Sequence, residues 1–392
     1  MKKNRNVIIF TALYLAYTSI YFARLNLSMA SPGMIEAGIA DTVQIGLLGS
    51  IFSVIYSVGR LLNGTMSDSQ PPFKMICTGL ATAGLSNFFV GFFPPFIGIM
   101  LLWGTNAYAQ SMLWSSVLCC VSHMYDEVKA KKMVSYMVTS VATGNIAGII
   151  VNTFIILKFG LKFAFIVPGA ITLLLSIPLF FCIKHIPKPE PNGKKHISIF
   201  KLLGSGEISA MLIPAMLHGV IKDNISLWMT VYFVDVFGIN LNESSYFVLF
   251  IPVMGFIGRI IYPALLKLSR DREHVVSVYS FAACIVLSCP LFLISGVPVL
   301  SAVCLALIYA FISVINTSIL SIYPIRFAKT GNVASVSGIM DFATYLGAGI
   351  GSFAYGILIK SFGYSPMFVS WAVVCVVSAV VVGLIEKKRH GF

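Results

Sequence analysis

The sequence predicts an all-α membrane protein with twelve transmembrane helices in two pseudo-symmetric six-helix bundles, and three observations carry that prediction. Of the 392 residues, 58% are hydrophobic and only 10% are charged, against roughly 25% charged in an ordinary soluble domain. A hydrocarbon core about 30 Å thick takes roughly 20 apolar residues per helix, and the apolar runs supply about a dozen such helices with short connections. One long polar stretch divides those runs six and six.

Breaking the chain at charge clusters and Pro/Gly/Asn turns places helices near residues 7–30, 44–67, 73–93, 96–124, 133–157, 162–184, 208–236, 244–267, 275–294, 298–323, 333–359 and 364–385. The start, Met1 to Arg5 followed by an apolar run and Ser28-Met29-Ala30, has the outline of a signal peptide. Arg24 inside that run and the many spans that follow favour an uncleaved first transmembrane helix instead. The polar stretch runs from Lys184 to Glu207 and contains Lys-Pro-Glu-Pro-Asn-Gly-Lys-Lys, which no helix accommodates. The expected organisation is therefore an N-terminal bundle over 1–184, a cytoplasmic linker over 185–207 and a C-terminal bundle over 208–392.

Charge sets the orientation. With both termini inside, twenty of the 27 Lys and Arg fall on the cytoplasmic side and only Lys158, Lys162 and Lys360 outside, as the positive-inside rule requires. The formal net charge of +13 does not point to nucleic acid, because the basic residues lie between apolar spans rather than on one solvated face. The eight cysteines sit in apolar stretches without a Cys-x-x-Cys or a histidine at metal spacing, so neither a metal site nor a disulfide framework is expected. No length is left for a catalytic domain, and no cofactor is expected.

Four cations remain inside helices: Arg24, Arg60, Lys222 and Arg259. They repeat. Gly59-Arg60 recurs as Gly258-Arg259, Arg24 corresponds to Lys222, and Ile156-Leu157-Lys158-Phe159-Gly160 echoes Leu358-Ile359-Lys360-Ser361-Phe362-Gly363. Parallel repeats related by an axis along the membrane normal are expected to hold a substrate at mid-depth between the halves. A Lys or Arg at the centre of a membrane helix costs at least about 2.5 kcal/mol on insertion scales and persists where it faces a protein interior or a watered cavity. Arg24 and Lys222 are thus the candidate ligands of an anion; Arg forks an oxyanion and Lys meets it as a point charge. The competing structural reading is an ion pair. Asp223 and Asp341 are the plausible intramembrane acids, with Asp223 turned about 100° from Lys222 around an ideal helix.

Tyr14, Tyr17, Tyr21 and Arg24 follow at three- and four-residue steps, and Tyr56 precedes Arg60 by four, so hydroxyl donors are expected along faces that end at cations. Asn106, Gln110 and Trp114 share one face of the fourth helix, either for ligand or for interhelical hydrogen bonding. His123 and His218 lie near cytoplasmic ends, where solvated or capping roles are expected; His218, four residues before Lys222, is also a candidate proton relay. Asp341 is the candidate for charge coupling or for balancing Lys222. The glycine-rich segments Gly144 to Gly148 and Gly347 to Gly351 lie inside apolar helices, which predicts close helix packing rather than a phosphate loop.

Three of these segments carry a family resemblance. Tyr21-Phe22-Ala23-Arg24-Leu25-Asn26, Tyr56-Ser57-Val58-Gly59-Arg60 with Ser67-Asp68, and above all Trp103-Gly104-Thr105-Asn106 through Gln110 and Trp114 resemble the organophosphate:phosphate antiporters of the major facilitator superfamily. The resemblance covers most of the chain. It implies the major facilitator fold and a substrate phosphate held by one basic residue from each bundle, here Arg24 and Lys222, with Tyr17, Tyr21, Tyr56 and Arg60 at binding positions. The sequence departs from the family at Lys222, where Arg is usual, at Gly144, where the glycerol-phosphate carrier has histidine, and in the Ser-Gln-Pro-Pro loop after Asp68.

The expectation is a secondary active transporter, not an enzyme, in a bacterial plasma membrane. It works as a monomer in the lipid bilayer and moves a small organic anion by alternating access, most simply a phosphate ester in exchange for inorganic phosphate. The rival expectations are a proton-coupled carboxylate symporter and a transporter-like sensor of sugar phosphate. A cationic site disfavours efflux of cationic drugs.

Overall fold

The computed structural model describes residues 2–67, 70–125, 127–183, 204–293, 297–330 and 333–390. The helices among them are α1 (Lys2–Ser19), α2 (Phe22–Glu36), α3 (Thr42–Ser67), α4 (Pro72–Val90), α5 (Phe96–Ser111), α6 (Leu113–Met124), α7 (Glu127–Phe159) and α8 (Phe163–Ile183), followed by α9 (Gly206–Phe237), α10 (Leu241–Leu268), α11 (Glu273–Leu293), α12 (Pro298–Asn316), α13 (Val333–Phe362) and α14 (Ser365–His390). Pairing α1 with α2 and α5 with α6 gives the twelve expected spans. The linker residues up to 203 lie outside the described residues.

Ten stretches are long and apolar enough to cross a membrane by length and composition, α1 and α2 counting together as Arg5–Glu36. The two expected spans outside that set are the polar ones. The fourth is broken into α5 and α6, each under 18 residues. The seventh, α9, is 32 residues long but carries His218, Lys222, Asp223 and Asp235. Leu101, Leu174, Ile260 and Leu384 stand exposed on the helix surfaces, as lipid tails rather than water require.

Three boundaries differ from the sequence expectation, each for a local reason. The first helix is interrupted at Ile20 and Tyr21, where Tyr21 N–H reaches back only to Thr18 O (3.2 Å) and Ser19 Oγ donates to Ala16 O (2.8 Å). The fourth is interrupted at Met112, whose N–H donates to Ala109 O three residues back, beside Ser111 Oγ on Tyr108 O. The tenth ends at Asn316 and continues as a π-helical turn over Thr317–Ile322 and a 3₁₀ segment over Tyr323–Thr330.

The chain divides into two compact units, one comprising Met1–Asp41 with Ile55–Asn192 and the other Thr42–Val54 with Gly193–Phe392. In the first, Leu13, Ile20, Leu80, Leu113, Val117 and Leu179 form a buried apolar core. Small residues let its backbones approach: Gly84 and Gly169 face each other across α4 and α8, and Gly144 and Gly148 of α7 lie against Tyr21 and Leu25. In the second, Gly219 of α9 lies against the Thr344 carbonyl of α13 and Gly347 of α13 against the Met216 carbonyl of α9. The glycine-rich segments thus serve helix packing, as expected.

The internal repeat is visible in these pairings. Gly59 of α3 packs on Ser111 of α5, and its counterpart Gly258 of α10 packs on Ala310 of α12. The first span packs on α7 as α9 packs on α13. Each unit builds the same two contacts from its own sequence.

Gly219→Ala and Gly347→Ala each drive a Cβ into a backbone carbonyl that cannot turn aside. Each is expected to destabilise the purified protein by about 1–3 kcal/mol, read as a lowered melting temperature in detergent. Gly383→Ala, which meets nothing within 4 Å, leaves the melting temperature unchanged or raises it; an equal loss there would refute the packing account.

Candidate functional site

In the first unit the polar residues converge on the interruption between α1 and α2. Asn106 Nδ2 (3.2 Å) and Gln110 Nε2 (3.3 Å) both donate to Ala23 O, and Gln110 Nε2 also bonds Asn106 Oδ1 (3.0 Å). Asn152 Nδ2 donates to Phe22 O (3.0 Å), while Asn26 donates to Asn87 Oδ1 (2.8 Å) and Ala164 O (3.1 Å) and accepts from Leu27 N–H (3.0 Å). Side-chain amides from α5 and α7 thereby tie down the first-turn carbonyls of α2, and Asn87 of α4 accepts from the Asn26 side chain. The fourth-helix amides do make the interhelical hydrogen bonds that were one of their two sequence readings. The donor of Gln110 is committed to the carbonyl preceding Arg24, and its buried Oε1 has no hydrogen-bond partner among the described residues.

Arg24 projects from this secured turn. Its guanidinium carbon lies 4.4 Å from the Tyr56 ring centroid and 5.7 Å from that of Tyr21, and Arg60 lies 5.9 Å from the same Tyr56 ring. Such contacts are attractive through the ring quadrupole and strengthen on desolvation. Tyr17, Tyr21 and Tyr56 are all buried. Tyr17 sits 5.0 Å from the Trp114 ring and 6.1 Å from Tyr21, within electrostatic reach of Arg24, Arg60 and Tyr56. The structure therefore brings together Tyr17, Tyr21, Arg24, Tyr56, Arg60 and Trp114. Tyr14 does not join them; its hydroxyl bonds Thr139 (3.1 Å) and Thr143 (2.9 Å) on α7.

Among the described residues of the first half, the acids Glu36, Asp41 and Glu127 stand at helix ends or just outside them. Arg24 and Arg60 share the Tyr56 ring.

The second unit differs. Lys222 Nζ is 2.8 Å from Asp223 Oδ1 and 4.9 Å from the Tyr345 ring centroid. This corrects the sequence reading: the ideal-helix angle separated Lys222 from Asp223, but a flexible four-carbon stem spans it, and Asp223 rather than Asp341 balances the charge. Asp341 sits half-buried on α13, four residues before Tyr345. Asp223 Oδ2 is buried without a hydrogen-bond partner among the described residues. His218 is also corrected. It is fully buried, with Nε2 3.2 Å from Ile312 O and Nδ1 without a hydrogen-bond partner among the described residues, so it is neither solvated nor capping. The side chain of His123 lies outside the described residues.

Sequence reasoning missed Tyr345, whose signal was its four-residue step from Asp341. It also missed Asp235, near the end of α9, which accepts from Tyr364 Oη at 2.9 Å.

Comparisons with known proteins agree with this architecture. The "Probable hexose phosphate transport protein" of Chlamydia muridarum is 29% identical over 181 residues, 46% of this chain and 40% of that protein. The "Glycerol-3-phosphate transporter" of Haemophilus influenzae is 25% identical over 199 residues, 46% of this chain and 41% of the relative. The alignments thus span about two fifths of these relatives' length. The "Membrane sensor protein UhpC" of Escherichia coli is 22% identical over 279 residues, 64% of this chain and 63% of the relative. Among solved structures, a bacterial homolog of the human lysosomal transporter Spinster superposes with a TM-score of 0.80 at 15% identity, covering 98% of this chain and 97% of the other. The nucleoside transporter NupG gives 0.80 at 13%, covering 97% and 99%. At such identities these two speak to fold alone. The sequence profile of the Major Facilitator Superfamily matches residues 13–352, most of a chain whose two halves repeat the same helix contacts, and the protein belongs to that superfamily.

Proposed function

We propose that this protein is a secondary active transporter that exchanges a phosphate ester for inorganic phosphate by alternating access. The observation that carries the reading is Arg24, set among the buried Tyr17, Tyr21 and Tyr56 with a second cation, Arg60, on the same Tyr56 ring. A site built this way gains most from a ligand that brings its own negative charge. The hexose phosphate and glycerol-3-phosphate relatives supply the substrate class.

Arg24 is the principal ligand in this reading, with Arg60 and the hydroxyls of Tyr17, Tyr21 and Tyr56 as further donors and Trp114 as an apolar wall. Gln110 acts through the turn that presents Arg24. Lys222 is the second cation, and because it already has Asp223 at 2.8 Å, the anion competes with that carboxylate. An empty site returns Lys222 to Asp223 but leaves two cations, Arg24 and Arg60, close together on one aromatic ring, which favours a return journey with phosphate bound. His218 and Asp341 are the candidates for coupling to protons. The positive-inside bias supports cytoplasmic termini, the bacterial relatives support a bacterial plasma membrane, and a monomer contains every residue invoked.

A sensor of sugar phosphate is the second reading, favoured by the longer alignment with the sensor relative. Proteoliposomes loaded with inorganic phosphate separate the two. Labelled phosphate exchanges with a panel of phosphate esters if the protein transports. Uptake driven by a pH gradient into phosphate-free vesicles would instead support proton symport, and binding without flux a sensor.

Arg24→Ala is expected to reduce phosphate exchange by about 100-fold or more, since removing one member of a buried charged hydrogen-bonded pair costs about 2–5 kcal/mol. Lys222→Ala acts in the same direction by a smaller factor. Full exchange in both variants would refute the anion site.

Asp223→Asn removes the competitor for Lys222. The half-saturating phosphate concentration is expected to fall by roughly tenfold, which corresponds to about 1.4 kcal/mol of competition. A rise in that concentration in a stably folded variant would assign Asp223 to substrate or proton binding instead.

A further inference from the structure

A cavity of about 620 Å³ opens in the second unit where α10 ends and α11 begins. This is well within the range of small-molecule sites, about 300–1,000 Å³, and it contains neither Arg24 nor Lys222. Its wall is apolar, from Leu265, Val275, Val276 and Phe311, and its rim carries Arg270 and Arg272. Ser269 and Tyr279 add hydroxyls.

The rim is a preformed turn. Asp271 N–H donates to Leu266 O (2.9 Å), Arg270 N–H to Lys267 O (3.1 Å) and Arg272 N–H to Ser269 O (3.2 Å). Arg270 and Asp271 adopt φ of 55° and 58°, a left-handed conformation that is uncommon for a residue such as Arg and marks a defined turn. Local charge is positive. Lys267, Arg270 and Arg272 outnumber Asp271 in the turn, and the next acid along the chain, Glu273, is buried in ion pairs with Arg326 and Arg389.

The cavity borders the lipid-facing surface. Leu268 is 82% exposed, and Tyr279 and Val286, two turns apart on one face of α11, are each 69% exposed. These side chains belong against hydrocarbon, so the mouth adjoins the bilayer on the side that the charge pattern places in the cytoplasm. A soluble phosphate has no use for the apolar wall, and a plain acyl chain none for the arginines. A molecule with both parts fits both, and basic pockets among helices at the cytoplasmic leaflet suit anionic headgroups.

We propose that this cavity binds an anionic phospholipid, its phosphodiester on Arg270 and Arg272 and the start of an acyl chain along Leu265, Val276 and Phe311. The site is separate from the proposed transport site, so either can fail alone.

The test is native mass spectrometry of the full chain titrated with dioleoyl phosphatidylglycerol, with dioleoyl phosphatidylcholine as the neutral comparison. Phosphatidylglycerol is expected to leave a retained one-to-one adduct that phosphatidylcholine does not. Arg270→Gln/Arg272→Gln weakens that adduct roughly thirty-fold, at about 1 kcal/mol per lost cation near the membrane surface. Arg270→Lys/Arg272→Lys retains most of it, and Val275→Trp blocks it with both arginines in place; unliganded melting temperatures near wild type show that the variants are folded. Equal adducts from the two lipids, a Gln variant that binds as wild type, or displacement by millimolar inorganic phosphate would each overturn the proposal, the last assigning the rim to free phosphate.

Discussion

The absence of water from the hydrocarbon region is the constraint on which the rest of this structure depends. A mid-helix Arg costs at least about 2.5 kcal/mol there, and every backbone group loosened around it must find another partner. The break at Ile20 and Tyr21 would be expensive in isolation. Asn106, Gln110, Asn152 and Asn26 brace the chain just beyond it by hydrogen-bonding the Ala23 and Phe22 carbonyls and the Leu27 N–H. The amides, the helix break and the cation are therefore one device, in which four polar side chains fix the turn from which a fifth projects.

The two halves solve the same problem differently. Around Arg24 the first half uses aromatic faces, which attract a cation without cancelling its charge. Around Lys222 the second half uses a carboxylate, which does cancel it. In the proposed exchange an anion would meet cations held on aromatic faces at the first and compete with Asp223 at the second. Lys suits the exchange: a compact ammonium on a flexible stem changes partners without the planar fit that an Arg fork demands. The substitution of Lys for the family's Arg then reads as part of the Asp223 pairing rather than as an isolated weakening.

Much of this was legible in the chain because its signals are local and additive. Span positions follow from apolar run length, and the repeat from Gly59-Arg60 against Gly258-Arg259. The cluster around Arg24 follows from three- and four-residue steps. What was not legible depended on side-chain reach and tertiary partners. An ideal helix separates Lys222 from Asp223, yet the lysine stem closes the gap. His218 looked solvated by its distance from the helix end, yet α12 covers it, with the Ile312 carbonyl at its ring. Tyr14 shares the periodicity of Tyr17 and Tyr21, but Thr139 and Thr143 of α7 take its hydroxyl.

The glycine contacts explain how such local electrostatics act on more than one side chain. Arg24 stands on a helix whose neighbouring residues Tyr21 and Leu25 lie against Gly144 and Gly148 of α7, and Lys222 stands on a helix locked to α13 through Gly219 and Gly347. At Gly219 and Gly347 there is no room for even a methyl group, and at Gly144 and Gly148 the neighbours would have to give way, so each pair is closely packed. Closely packed interiors shift between discrete arrangements rather than deforming continuously. A change in the charge balance at Arg24 or Lys222 is thus transmitted to a helix pair and not absorbed by one rotamer, which is what a carrier needs if the binding of a small anion is to move protein.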